Sequence, residues 1–286
     1  MPIKIIECPR DAMQGLNDFI PTEKKIEYIN QLLKVGFDTI DFGSFVSPKA
    51  IPQLKDTAEV LARLDFNNSK SKLLAIVANL RGTESACKFN EIKYIGFPFS
   101  ISETFQNKNT NSSILDSLNA VKQIQELCLT NNKELVIYIS MAFGNPYREE
   151  WNTDIVEHWT SQISDIGVKI ISLSDTIGIA SPESISYLFN KLIPRFSDVE
   201  FGAHFHTTID AWKEKIEAAY LNGCTRFDGA ILGFGGCPMA TNKLTGNMPT
   251  EKIIQYFEEL NMELSINKNE FKKSLIESSK IFQTFF

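Results

Sequence analysis

The stretch VEFGAHFHTTIDAWKEKIEAAYLNG, residues 199–223, decides the fold because it joins a strand-like run to a helix-like one. The run from 199 to 206 is short and largely apolar, as buried strands are. From Thr208 onward the segment is amphipathic, and it closes at Asn222-Gly223, a common helix stop. A strand followed directly by a helix is the unit of parallel sheets, because the helix returns the chain to the start of the next strand.

Strand-like runs of this kind occur eight times, alternating with longer amphipathic segments. Eight such units close a (β/α)8 barrel, so we predict an α/β fold of the TIM-barrel type, with a doubly wound open sheet as the alternative. The runs are IKIIEC (3–8), DTIDFG (38–43), KLLAIVA (72–78), IKYIGFP (92–98), ELVIYISMA (134–142), VKIISLSD (168–175), VEFGAHFH (199–206) and RFDGAIL (226–232).

The segments between the runs carry helix signals. In PTEKKIEYINQLLKVG, Pro21-Thr22 starts a helix and Gly36 ends it. No Pro/Gly/Ser-rich linker or low-complexity tract divides the chain. We therefore predict a single barrel domain over 1–286, with 250–286 forming additional C-terminal helices packed on the barrel.

Composition restricts the function. The 286 residues are 43% hydrophobic and carry a formal charge of -6, and no Lys/Arg-rich run marks a nucleic-acid footprint. The N-terminus does not resemble a targeting leader, and no apolar run is long enough to span a membrane. We expect a soluble cytoplasmic protein with neither nucleic acid nor a membrane as partner.

The cysteines indicate a reducing compartment. They are odd in number, widely spaced and without a C-x-x-C pair, which is typical of free thiols rather than of disulfides or a thiolate zinc site. A metal would therefore need nitrogen and oxygen ligands. The five cysteines are Cys8, Cys87, Cys128, Cys224 and Cys237.

His204 and His206 stand at the carboxyl end of the seventh run, where barrel enzymes place their working side chains. Alternate residues of a strand share a face, so both imidazoles can point into the barrel mouth. An isolated H-x-H is equally consistent with two hydrogen-bonded histidines. The carboxylates of neighbouring strand ends favour a metal site instead, and such ligands suit Mg²⁺ or Mn²⁺.

Other polar residues follow the strands. Arg10-Asp11 after the first run is either functional or a surface pair. Asp41 lies within an apolar run, where a carboxylate is costly to bury without a partner, and is thus a functional candidate. Asp175 either supports a ligand or caps the following turn. Cys237, in the glycine-rich stretch GFGGCP, is either a proton donor and acceptor or an apolar filler.

Seven stretches together identify a family. In order and spacing they resemble the 3-hydroxy-3-methylglutaryl-CoA lyases, metal-dependent TIM-barrel enzymes, from Ile6 to about Leu260. R-D-x-x-Q and H-x-H also occur in isopropylmalate, citramalate and homocitrate synthases, whereas SFVSPK and GGCP are more specific to the lyase. The stretches are CPRDAMQ (8–14), SFVSPKAIPQ (44–53), NLRG (79–82), SLSDTIG (172–178), HFHTT (204–208), GFGGCPM (233–239) and TGN (245–247).

The resemblance implies a divalent-metal-dependent retro-Claisen cleavage of 3-hydroxy-3-methylglutaryl-CoA to acetyl-CoA and acetoacetate, as in leucine degradation and ketone-body formation. It implies an acyl-CoA substrate, Mg²⁺ or Mn²⁺ as cofactor and, since family members are commonly dimers, a homodimer. The implied metal ligands are Asp11, His204, His206 and Asn247. The implied catalytic residues are Arg10, which stabilises an enolate, Asp41 and Cys237, which transfer protons, and His204. The implied pocket residues are Gln14, Ser44, Asn79 and Asp175.

Two positions depart from the family pattern. Asp41 stands where the family has Glu, and Thr207 where it has Asp, so a side chain that would orient an imidazole is lost. If no other acid, such as Asp175, supports the imidazoles, we expect a lower metal affinity.

Two other functions compete with the lyase. A condensing synthase acting on acetyl-CoA and a 2-oxo acid is one, although such enzymes generally carry a long C-terminal regulatory region. A non-catalytic thioester-binding relative is the other.

Overall fold

The computed structural model describes residues 2–236 and 245–285. Its centre is a barrel of eight parallel strands, each paired with the next, and β8 pairs with β1 to close the ring. An open doubly wound sheet would leave two edges, so the barrel prediction is confirmed. Each predicted run overlaps one strand, and β2, β4 and β7 extend one or two residues past the end of theirs. The strands are β1 (Lys4–Glu7), β2 (Thr39–Ser44), β3 (Lys72–Ile76), β4 (Ile92–Ser100), β5 (Glu134–Ser140), β6 (Ile170–Asp175), β7 (Glu200–Thr207) and β8 (Arg226–Gly229).

Helices surround the barrel and return the chain between strands. Several begin at a Ser or Asn whose side chain accepts a backbone N–H three residues on, as at Asn152 and Ser181. The helices are α1 (Pro9–Gln14), α2 (Thr22–Leu33), α3 (Thr57–Leu61), α4 (Leu80–Ala86), α5 (Glu103–Thr110), α6 (Ile114–Thr130), α7 (Thr153–Asp165), α8 (Pro182–Arg195), α9 (Trp212–Leu221), α10 (Thr250–Glu259) and α11 (Lys268–Phe285).

The last two helices pack on the barrel. α10 contacts β8 and α9, while α11 lies against α2. Two edge-to-face aromatic pairs fix α11, with ring centroids 6.1 Å apart for Tyr28 and Phe282 and 6.2 Å apart for Phe37 and Phe271.

Within the described ranges, no helix combines the length and the apolar content needed to cross a bilayer.

The barrel interior has an apolar side and a polar side. A separate apolar cluster fills the side formed by β3 to β6. Opposite it, β7 and β8 contribute His204, His206, Asp228 and the fully buried Arg226. The apolar cluster consists of Leu74, Ile76, Tyr94, Val136, Tyr138 and Ile170.

A short strand that the sequence did not predict adds to the carboxyl end of β7. This strand, β9 (Gly246–Asn247), pairs antiparallel with β7, with Asn247 opposite His206. It brings a distant loop to the H-x-H motif.

Glu7, at the end of β1, is a buried acid that ties the barrel to α10. The Ile231 N–H donates to Oε1 at 3.0 Å, and the Thr250 hydroxyl donates to Oε2 at 2.6 Å. Burial raises the pKa of Glu7 to about 8, the two hydrogen bonds opposing it. The folded protein thus holds a proton on Glu7 that the unfolded chain releases near its ordinary pKa of 4.5.

Replacing Glu7 with glutamine is expected to stabilise the protein relative to the parent as pH rises from about 5 to about 8.5. Glu7 contributes stability below its unfolded pKa and loses it as pH rises through the folded pKa, whereas the uncharged amide accepts from the Ile231 N–H and donates to the Thr250 oxygen at every pH. Urea unfolding midpoints at pH 5, 7 and 8.5 measure the difference. Glu27→Gln, at an exposed Lys24 pair, is the control, and equal pH dependence of the two variants would refute the assignment.

Candidate active site

The carboxyl end of β1 leads straight into α1, which places Arg10 and Asp11 in the barrel mouth. Pro9 occupies the first turn of α1, where its missing N–H leaves no helix bond unmade. Arg10 and Asp11 are 7% and 8% exposed. They are therefore not the surface pair that the sequence left open.

Asp11 divides its carboxylate oxygens between two sets of neighbours. Oδ1 accepts hydrogen bonds from Arg10 Nη1 and Gln14 Nε2, both at 2.8 Å. Oδ2 lies 4.0 Å from His204 Nε2. Burial raises the pKa of Asp11, but Arg10 and the two histidines outweigh it and lower that pKa to about 2. Asp11 is thus charged at neutral pH, with one oxygen facing the histidines.

Asp228 fixes the ring of His204. The His204 Nδ1 lies 3.1 Å from Asp228 Oδ2, and because a carboxylate only accepts, Nδ1 carries the proton and the Nε2 lone pair faces Asp11. Burial lowers the pKa of His204, but the hydrogen bond and charge of Asp228 raise it above its ordinary value. A cation at Nε2 would compete with a proton, so metal loading should improve as pH rises.

His206 presents a free nitrogen to the same space. Its Nδ1 donates to the backbone carbonyl of Asp175 at 3.0 Å. Its Nε2 is buried and has no hydrogen-bond partner among the described atoms, which is unusual for a buried polar atom. Burial and the neighbouring His204 lower the pKa of His206. A neutral imidazole with a buried, unused lone pair is suited to binding a metal.

β9 brings Asn247 to the two histidines. Its side chain hydrogen-bonds Asp11, and its Nδ2 also donates to the Phe234 carbonyl at 2.8 Å. Since the Asp11 carboxylate only accepts, both bonds use the amide N–H groups and leave the Asn247 carbonyl oxygen as a ligand atom.

The arrangement fits a divalent cation. One ligand atom from each of Asp11, His204 and His206 lies within 4.8 Å of the other two. The unused Nε2 of His206 and the Nε2 of His204 converge with an Asp11 oxygen, and both histidines are held through Nδ1. Imidazole nitrogens, a carboxylate and an amide oxygen are ligands for a divalent metal with some oxygen preference.

Cys8 and Asp228, on the other side of His204, form a second group within the same distance. Burial, then the charges of Asp228 and Asp41, raises the pKa of the Cys8 thiol well above its ordinary value. A thiol that keeps its proton is a poor metal ligand. The Asp11 side of His204 is therefore the better cation site.

Asp41 contacts Arg10 rather than the histidines. Its Oδ2 accepts from Arg10 Nε at 2.9 Å and from Nη2 at 2.6 Å. Burial raises the pKa of Asp41 to about 6, although Arg10 opposes this. Burial also lowers the pKa of Arg10, but Asp41 and Asp11 raise it well above its ordinary value, so the guanidinium stays charged. The short Asp41 side chain thus reaches the guanidinium and orients it.

Groups other than residue 207 orient the two imidazoles, although Thr207 stands where the family pattern has an acid. The Thr207 hydroxyl donates to the Thr208 carbonyl and leaves the imidazoles to other groups. Asp228, absent from our sequence-based set, holds His204, and the Asp175 carbonyl holds His206. We therefore do not expect Thr207 to weaken metal binding.

Asp175 is both a cap and a support. Its Oδ1 accepts the Ile179 N–H at 2.8 Å, which caps the turn after β6, while its carbonyl holds His206. Its Oδ2 accepts from the buried Lys215 at 2.6 Å. The sequence analysis missed Lys215.

A cavity of about 430 Å³ lies in the barrel mouth over these residues. Arg10, Asp11, Gln14, His204 and His206 line one part, and Lys108 of α5 lies in its lining too. A pocket of this size suits a small organic ligand. The apolar part of its wall includes Val46, Ile51, Ile76, Pro98, Phe105 and Tyr138.

Three of the sequence-predicted pocket residues are not among the described residues of the cavity lining. Ser44 accepts the Val46 N–H at 3.1 Å in the loop after β2. Asn79 is the N-cap of α4, where it accepts the Gly82 N–H at 2.9 Å, and Asp175 is buried behind His206. Cys237 lies outside the described residues. Its neighbour Gly236 does line the cavity.

A barrel mouth that combines a charged arginine with a site for a divalent cation is that of a metal-dependent barrel enzyme. Comparison with known proteins defines it further. The HMGL-like family matches residues 3–275, and the chain belongs to this family. The resemblance inferred from the sequence motifs is confirmed.

Named relatives agree with the family. The chain is 34% identical to hydroxymethylglutaryl-CoA lyase YngG of Bacillus subtilis over 258 residues, 90% of this chain and 85% of the relative. It is 30% identical to the 3-hydroxy-3-isohexenylglutaryl-CoA/hydroxymethylglutaryl-CoA lyase of Pseudomonas aeruginosa over 266 residues, 93% of this chain and 88% of that protein.

Solved structures of lyases share the fold over nearly the whole chain. The Bacillus subtilis HMG-CoA lyase superposes with a TM-score of 0.91 at 32% identity, covering 98% of this chain and 95% of that one. An HMG-CoA lyase from Acinetobacter baumannii in complex with coenzyme A and 3-methylmalate gives 0.90 at 29% identity, covering 99% and 92%.

Proposed function

We propose that this protein is a hydroxymethylglutaryl-CoA lyase that cleaves 3-hydroxy-3-methylglutaryl-CoA to acetyl-CoA and acetoacetate. The observation that carries the proposal is the convergence of Asp11, His204 and His206 beside the charged Arg10 in the barrel-mouth cavity. The lyase relatives cover almost the entire chain, which supports the same reaction here.

The residues divide the chemistry as follows. Asp11, His204, His206 and Asn247 would hold a divalent cation, which when bound makes the substrate's tertiary hydroxyl easier to deprotonate. The Arg10 guanidinium stabilises the negative charge that develops on the thioester oxygen as the carbon–carbon bond breaks. Asp41 orients Arg10 through two hydrogen bonds.

Three groups complete the proposed reaction. Asp41, a proton-transfer residue implied by the family resemblance, accepts the proton of the tertiary hydroxyl, and Cys237 gives its thiol proton to the thioester enolate as the carbon–carbon bond breaks. Lys108, at the cavity lining, offers a positive charge to the anionic CoA.

The finer properties of the enzyme are part of the same proposal. We propose Mg²⁺ or Mn²⁺ as the cation because the donors are nitrogen and oxygen. We propose a cytoplasmic homodimer that acts in leucine degradation and ketone-body formation. The barrel with its C-terminal helices would be one catalytic domain over 1–286, since one apolar core cluster runs from Ile5 to Phe282.

An acetoacetate-release assay on the purified protein tests the function. We expect 3-hydroxy-3-methylglutaryl-CoA to be cleaved with Mg²⁺ or Mn²⁺, activity to disappear with a chelator, and Cys237→Ala to bind Mn²⁺ normally but to lose activity. Release of free CoA from acetyl-CoA and a 2-oxo acid would instead indicate a synthase, and metal binding without turnover of hydroxyacyl-CoA thioesters would indicate a non-catalytic relative.

A further inference from the structure

Arg226 is a charged residue in the barrel interior, two positions before Asp228 on β8. Its side chain is 0% exposed, and since alternate residues of a strand share a face, it projects to the same side as Asp228. Its pairing partner across β7 is Gly202, while Asp228 pairs with His204. Arg226 thus lies one layer beneath the histidine that faces the cation site.

The backbone makes room for this arginine. A Cβ on Gly202 would lie 3.1 Å from Arg226 Cδ and 3.0 Å from Ser172 Oγ. The guanidinium carbon is 5.7 Å from the centre of the Tyr94 ring, in a cation–π arrangement. The aliphatic part of Arg226 therefore lies over a glycine, and its charge sits inside the barrel.

The guanidinium is surrounded by polar atoms that it does not reach directly. Its Nε, Nη1 and Nη2 have no hydrogen-bond partner within the described part of the chain. Its Nη1 lies 3.8 Å from Glu200 Oε1, too far for a direct bond. Among the described atoms, four buried oxygens of the barrel strands also lack partners: Asp228 Oδ1, Glu200 Oε1, Ser172 Oγ and the Tyr138 hydroxyl.

Buried donors and acceptors that lack a protein partner are commonly joined by ordered water. The excess donors belong to Arg226, and the acceptors include the Asp228 oxygen that His204 does not use. Asp228 is the strongest of the neighbouring charges that raise the pKa of Arg226 against the effect of burial. The guanidinium therefore remains a cation opposite that carboxylate.

We propose that Arg226 is a positioning residue of the metal centre: through water-bridged contacts it balances the charge of Asp228 and holds its carboxylate against His204 Nδ1. The inference rests on the proposed function, because it assigns His204 to the cation. Without Arg226, Asp228 would be a buried negative charge free to turn away from His204 Nδ1, and the Nε2 lone pair would no longer be held toward the cation site.

The test is the Mn²⁺ dissociation constant of the full-length protein, measured by titration calorimetry and by electron paramagnetic resonance of free Mn²⁺. We expect Arg226→Met to weaken binding by about 10- to 100-fold, the range for residues that orient a metal ligand. Arg226→Gln, also uncharged, should behave alike, and Arg226→Lys should retain most of the affinity. If the Met variant does not fold, the Gln and Lys variants carry the test.

A double-mutant cycle separates positioning from general damage. If Arg226 acts through Asp228, adding Arg226→Met to Asp228→Asn should weaken Mn²⁺ binding little further. Fully additive effects, or parental affinity in Arg226→Met, would overturn the inference. A parent protein that binds no Mn²⁺ would instead overturn the proposed function.

Discussion

Replacing Arg10 with methionine is expected to lower kcat by about 10²- to 10³-fold, the usual cost of losing a group that stabilises a developing oxyanion. In the mouth, Arg10 is held by Asp41 on one side and by Asp11 and Gln14 on the other. Its orientation is therefore set before substrate binds, which is the condition for a large electrostatic effect on the transition state. KM should change less than kcat, because the stabilised charge appears only as the bond breaks.

Arg10→Lys is the informative comparison. Lysine keeps the positive charge but cannot donate to Asp41 from two nitrogens at once, so we expect an activity between those of the parent and Arg10→Met. Circular dichroism confirms that both variants fold, and steady-state kinetics at saturating Mn²⁺ gives kcat and KM. A kcat within threefold of the parent's in Arg10→Met would remove Arg10 from the chemistry.

Replacing Lys215 with methionine is expected to destabilise the protein by about 3–5 kcal/mol, the usual loss when one member of a buried ion pair is removed. Lys215 is 2% exposed, and its ammonium donates to Asp175 Oδ2 at 2.6 Å, to the His206 carbonyl at 2.9 Å and to the Gly178 carbonyl at 3.2 Å. Without it, Asp175 remains a buried charge and two carbonyls lose a donor. For a chain of this size the change corresponds to a melting temperature lower by roughly 10 °C.

A lysine on the same helix provides the control. Lys213 pairs with Glu259 at 2.8 Å but is 54% exposed, so Lys213→Met should lower the free energy of unfolding far less than Lys215→Met does. The double variant Lys215→Met, Asp175→Asn should recover part of the loss, because it no longer leaves a charge without a partner. Equal losses of stability in Lys215→Met and Lys213→Met would show that the buried Lys215–Asp175 pair does not stabilise the fold.

Most strands and helices of the barrel could be predicted from local sequence patterns. The eight strands could be predicted because buried parallel strands are continuous apolar runs, and helices between them carry their own start and stop signals. β9 could not, since Gly246 and Asn247 have no strand pattern and pair only because they meet the carboxyl end of β7. Its presence explains why an asparagine distant in sequence reaches His206.

The site residues that belong to a sequence motif could be predicted. The residues that orient or stabilise them from neighbouring strands and helices could not. Arg10, Asp11 and the H-x-H pair follow from strand ends and from the family resemblance. Asp228 and Arg226 lie in a run that was predicted to be a strand, and their spacing of two places them on one face. The pattern, however, does not reveal that this face looks inward, toward His204. Lys215, on an amphipathic helix, is indistinguishable in sequence from its exposed neighbour Lys213.

Gly235, near the barrel mouth, also has no room for a side chain. Gly235 has a φ of +84°, and a Cβ there would lie 2.7 Å from the Asp11 carbonyl oxygen. Any side chain at 235 would therefore push against the helix that carries Asp11. Helix α1 and the backbone at Gly235 are thus in close contact.

Gly202 and Arg226 have a consequence for how this family changes over time. The arginine stem occupies part of the volume that a methyl group at 202 would need, so position 202 cannot take a larger residue while Arg226 stays. A lineage that shortens residue 226 removes one of the two contacts that exclude alanine at 202, the other being with Ser172 Oγ at 3.0 Å, and one that acquires the interior arginine needs glycine at 202 first. The two positions should therefore covary among homologues, and ancestral reconstruction would be expected to place the glycine before the arginine.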